Sequence, residues 1–132
     1  VIAIIGLLST LAVVALGNAR QKARDAKRLS DLKQMQTALE LYYTDQTDYP
    51  AAANPLTLGD ASNACLNASG FTTAACASPY MGQVPADPLT AQSYVYTKGV
   101  NTYTINATLE TAMNGFTDGI TLSPSGIADT SP

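Results

Sequence analysis

The sequence predicts an α+β fold in which one long N-terminal helix packs against a small antiparallel sheet. Three observations predict it. Residues 1–16 carry no charge. Residues 19–43 hold neither Pro nor Gly and show an apolar stripe at helical spacing. Beyond Pro88 the pattern changes to alternation in β-rich segments. A chain of 132 residues has room for one domain of ordinary size.

The opening run contains ten large apolar side chains: Val1, Ile2, Ile4, Ile5, Leu7, Leu8, Leu11, Val13, Val14 and Leu16. Burying ten such groups is worth about 15–30 kcal/mol, more than the net stability of a whole domain, about 5–15 kcal/mol. They therefore require a membrane, a protein core or copies of the same helix. Residues 1–17 would make about 25 Å of helix, against about 30 Å of bilayer core. One domain of this size would struggle to cover every face of such a helix, which disfavours the buried reading. No small-residue cleavage pattern marks the run as a signal peptide. Gly6, Ser9 and Gly17 are small residues of the kind that let membrane helices approach closely.

A basic cluster follows. Between residues 20 and 28, Arg20, Lys22, Arg24, Lys27 and Arg28 stand against the single acid Asp25, a local charge of +4. Elsewhere Lys33 and Lys98 stand against nine acids, −7, and the chain as a whole carries −3. Such asymmetry marks an interaction surface, and the acidic total argues against a nucleic-acid partner. Leu29, Leu32, Met35 or Gln36, Leu39, Tyr42 and Tyr43 continue at steps of three and four, an amphipathic helix with one apolar side. Pro50 is expected to end it, because the residue before Pro avoids helical geometry. The reading is one helix of about 45 residues, greasy all round in its first half and on one side in its second.

The string VIAIIGLLSTLAVVALGNARQKARDAKRLSDLKQMQTALELYYTDQTDYP resembles the N-terminal part of bacterial type IV pilins and of the related pseudopilins of type II secretion. About fifty residues carry the resemblance strongly. Beyond them it rests on general architecture, the segment VPADP and the Tyr-rich strands. Family members normally begin about eight residues earlier, with an aromatic and then an acidic residue near the mature end. Neither residue stands in this chain, so neither the processing site nor an assembly-guiding carboxylate is assigned. Many pilins also carry a Pro near the position of Val14, and this chain has none. Any unwound stretch in a filament is therefore expected to be short and to fall at Gly6 or Gly17.

Residues 51–90 read as a long loop, and long connections are usually functional or pinned. Cys65 and Cys76 are the only cysteines. On an exported chain they are expected to form a disulfide worth about 3 kcal/mol in the chain-entropy model; two buried free thiols are the alternative. Residues 93–97 and 102–109 read as strands around the turn 98–101. Tyr103, Ile105, Ala107 and Leu109 share one face, and residues 120–122 supply a third strand. The greasy face of that sheet is expected to meet the helix stripe.

Chemical motifs are scarce. There is no His, hence no Ser-His-Asp arrangement, and two Cys without a Cys-x-x-Cys pair argue strongly against a zinc site. No catalytic, cofactor or metal site is expected. Asp45 and Asp48 read as a solvated helix end. Asp118 and Asp129 resemble part of the calcium loop of some major pseudopilins, but no D-x-D-x-D pattern accompanies them. Asn67-Ala-Ser69 and Asn106-Ala-Thr108 fit the glycosylation sequon, a short pattern that also arises by chance.

The resemblance implies the major structural subunit of a type IV pilus-like extracellular filament, serving adhesion, twitching motility or DNA uptake. The alternative is the major pseudopilin of a type II secretion system. Residues 1–28 would be membrane anchor and then filament core. Residues 29–132 would be the head, with a disulfide-pinned loop at 51–91, a sheet at 92–123 and a C-terminal tail. The implied partners are copies of the chain, the inner membrane before assembly, a prepilin peptidase and the assembly machinery. The band 20–28 is expected to face the acidic part of a neighbour. By the positive-inside rule the same band would hold the head in the cytoplasm. A leader preceding residue 1 is expected to outweigh it.

Overall fold

The computed structural model describes residues 1–130. Helix α1 (Ile2–Gln46) runs unbroken for 45 residues, past Gly6, Gly17 and the basic cluster. Its end differs from the expectation in cause. Thr47 adopts a left-handed conformation (φ 61°) and returns its N–H to the Tyr43 carbonyl, three residues ahead of Pro50. A single left-handed residue closes a helix by satisfying one of its free carbonyls.

The head half of α1 buries Leu32, Met35, Ala38, Leu39 and Tyr42. Tyr43 lies outside this stripe and packs on Tyr49, with ring centroids 4.8 Å apart. The buried side faces an antiparallel sheet of five strands. In chain order these are β1 (Leu56–Leu58), β4 (Tyr94–Gly99), β5 (Thr102–Thr108), β6 (Gly119–Ser123) and β7 (Gly126–Asp129), and their spatial order is also β1-β4-β5-β6-β7. A separate hairpin joins β2 (Cys65–Asn67) to β3 (Gly70–Thr72). Alternation puts Tyr94 and Tyr96, Tyr103, Ile105 and Ala107, and Ile120 and Leu122 on one face, and all are buried in one core with the helix stripe. The sheet is thus wider than residues 92–123. It recruits β1 from the segment read as loop and β7 from the segment read as tail.

That segment is more ordered than its composition suggested. Leu58, Leu66 and Val84 enter the core, Phe71 packs edge-on to Tyr96, and Tyr80 packs edge-on to Tyr42. Cys65 and Cys76 are bonded, with Cα atoms 6.1 Å apart. Gly59 lies at φ +78°, and a Cβ there would come within 2.6 Å of the Ala86 backbone. Only Gly allows the turn after β1 to pass so close to the 84–88 segment.

Candidate self-association surface and neck

Up to Arg20 every residue of α1 is exposed. The ten large apolar side chains of the opening run range from 51 % exposed at Leu16 to 92 % at Val1. The head covers none of them, and the helix is long and apolar enough to cross a membrane. The contact between helix and head begins at the neck, residues 24–31. It is made there chiefly by charge, with Leu29 adding an apolar contact to the core.

Arg28 is wholly buried and all of its bonds go to acids of its own chain. Its Nε and Nη2 donate to the two oxygens of Asp87 at 2.8 Å each. Its Nη1 donates to Asp25 at 2.7 Å and to Glu110 at 2.8 Å. Arg24 completes the group with two bonds of 2.6 Å to Glu110. Asp25 in turn accepts the backbone N–H groups of Glu110 and Thr111 and the Thr111 hydroxyl, at 2.8–2.9 Å. The network ties the helix to the segment after β5 and to the VPADP segment, where Asp87 lies. Lys27 and the Tyr94 hydroxyl share Asp31, each at 2.8 Å.

The electrostatics follow from these bonds. Hydrogen bonds from Arg24, aided by Arg28, hold the Glu110 carboxyl down at about 2 against the opposing effect of burial. Burial would raise Asp25, yet the bonds it accepts from Glu110, Thr111 and Arg28 outweigh that and keep it below its ordinary value. The Asp87 fork pushes Arg28 up in spite of desolvation.

The expected charge band therefore divides. Arg24, Lys27 and Arg28 are paired inside the subunit, and Arg28 is inaccessible to a neighbour, because three in-chain carboxylates enclose it. Arg20 and Lys22 remain exposed and make no ion pair among the described residues. The boundary expected after residue 28 accordingly falls inside the neck network, four residues beyond its first member, Arg24. Asp25 on the helix stood within reach of Arg28 by spacing alone. Nothing in the sequence linked Arg28 to Asp87 or Glu110.

The other candidate residues scatter. Asp45 accepts the Tyr80 hydroxyl at 2.8 Å and Asp48 pairs with Lys98 at 3.0 Å, so they do not act together. Asp118 and Asp129 both accept bonds from Thr117. No group of three or more acidic or Cys side chains able to hold a metal occurs among the described residues. Asn67 ends β2 and accepts the Ser69 N–H at 2.9 Å. Asn106 is exposed on β5 and accepts the Thr121 hydroxyl at 2.8 Å.

A naked apolar half-helix running directly into the core helix of a small antiparallel-sheet head is the pilin-like arrangement. A family model described as type II secretion system (T2SS), protein G, matches residues 15–114, and the chain belongs to that family. Neither the curated proteins nor the solved structures contain a significant match.

Proposed function

We propose that this chain is the major structural subunit of a pilus-like filament on the outside of the cell. Before assembly its first half anchors it in the inner membrane. A prepilin peptidase and the assembly machinery then pass it into a helical homopolymer. The observation that carries this reading is the complete exposure of α1 up to Arg20. A helix apolar on all sides suits a bundle of parallel copies, where each side meets an equivalent helix, and not one defined partner. Leaving the bilayer for such a bundle keeps its apolar groups out of water at every stage. The stapled 51–91 segment favours a head facing an oxidising medium. Adhesion, twitching motility and DNA uptake are the functions such a filament would serve.

The family match favours a second reading, the major pseudopilin of a short secretion piston. Electron microscopy with an antibody against residues 51–130, applied to whole cells and to a deletion strain, separates the two. Labelled surface filaments with unchanged protein secretion support the pilus. Absence of surface label, together with secreted enzymes trapped inside the deletion strain, supports the piston.

A further inference from the structure

The charges that the fold leaves unpaired point to a register between copies. This inference rests on the filament reading and specifies its contact. Four of the seven cations find carboxylates in their own subunit: Arg24, Lys27, Arg28 and Lys98. The other three, Arg20, Lys22 and Lys33, are exposed and make no ion pair among the described residues. On the same helix Glu40 and Asp45 are exposed acids that also lack a cation. Each accepts only a tyrosine hydroxyl, from Tyr49 at 3.0 Å and from Tyr80 at 2.8 Å, which leaves oxygen lone pairs open to solvent. Beside them Leu41 is 52 % exposed, the most exposed large apolar side chain on the head half of α1.

We propose that the outward side of α1 at Leu41 and Asp45, one turn apart on one face, receives the neck of a second copy, whose Arg20, one turn beyond Leu16 on its own helix, pairs with Asp45. Arg20 and Asp45 are 25 residues apart, so parallel copies meet with an axial stagger of about 38 Å. One helix cannot bring its own neck to its own end, so the pairing is possible only between copies. At this stagger the last apolar turn of the incoming stalk, at Leu16, comes level with Leu41, so the charge contact continues the apolar contact of the stalks. The pairs lie beside apolar surface and exclude part of their water, which weakens salt screening. Lys33 lies seven residues from Glu40, about 10 Å along the helix, and at this stagger it faces neither acid.

The test uses the full chain in its own cells, with sheared filaments quantified. The reversal Arg20→Glu should lower filament yield about tenfold, and so should Asp45→Arg; the double swap should restore it to within about twofold. Lys33→Glu should change the yield by less than about twofold on the same scale. Because reversals near the stalk could disturb insertion, a second measurement stands apart from charge. Arg20→Cys combined with Asp45→Cys should give disulfide-linked ladders from intact filaments, whereas Lys33→Cys with Asp45→Cys should not. Wild-type filaments with no rescue by the swap and no ladder would overturn the register and leave the filament reading standing. No filaments from the wild type would defeat the filament reading itself.

Discussion

Replacing Arg28 by Met would leave the carboxylates of Asp25 and Asp87 facing each other's charge in a site from which water is excluded. Both have wholly buried side chains beside Arg28. Removing one partner of a buried pair costs about 3–5 kcal/mol, because the remaining charge stays desolvated and uncompensated. Arg28→Met should therefore lower the stability of the head by that amount in chemical denaturation. Arg20→Met, at an exposed site without an ion pair, should change it by less than about 0.5 kcal/mol. Equal effects would mean that the neck network does not hold the head. Glu110 gives the network a pH dependence of known sign. Its carboxyl lies at about 2 in the folded chain against an ordinary 4.5. A depressed carboxylate adds stability above its unfolded value, and that stability is lost as pH falls through the folded one. The thermal midpoint should thus drop between pH 4.5 and pH 2, and Glu110→Gln should drop less steeply across that window. Parallel curves for the two proteins would rule Glu110 out as a contributor.

At the scale of elements, the stapled hairpin is the part whose order depends on more than one kind of bond. The Cys65–Cys76 bond closes a short loop, worth about 3 kcal/mol if the entropy of the unfolded chain dominates. Leu66, buried in the core, and its backbone bonds to Met81 and Tyr80 hold the same hairpin from the other side. Reduction should consequently lower the denaturation midpoint without unfolding the sheet, since β4, β5 and β6 make no covalent link to the hairpin. Circular dichroism and intact mass, taken with and without reductant, check both halves of this statement. Loss of the β signal on reduction would show that the staple, and not the Tyr-rich core, carries the fold.

For the molecule as a whole, the division between stalk and head lies at the neck. A chain cut to begin at Arg24 keeps all members of the ion network and should be a soluble monomer with the sheet intact. A chain cut to begin at Leu29 loses Arg24, Asp25 and Arg28, and strands Asp87 and Glu110 without their cations. It should be less stable than the longer piece in urea, because the helix no longer bonds to the acids at 87 and 110. The full chain, with its exposed apolar half, should need detergent. Equal stability of the two truncated pieces in urea would place the boundary where apolar periodicity alone puts it, after residue 28.

Sequence by itself determined the long helix, its two characters and the inward face of the central strands. Those features follow from local periodicity: a run without charge, a step of three to four, an alternation of two. It also disfavoured a place for the ten apolar residues of the opening run inside so small a head, and the structure leaves all ten exposed. Periodicity could not reach β1, β7 and the hairpin, because strands of three or four residues are too short to show a period. Their order comes from Leu58, Leu66 and Ile127 meeting a core formed elsewhere in the chain. Nor could it divide the basic band. Arg20 and Arg28 are alike as letters, and only folding brings Asp87 and Glu110, 59 and 82 residues away, against one of them. Charge pairing over such separations is decided by tertiary contact, since ion pairs act over a few ångströms of space and not along the chain.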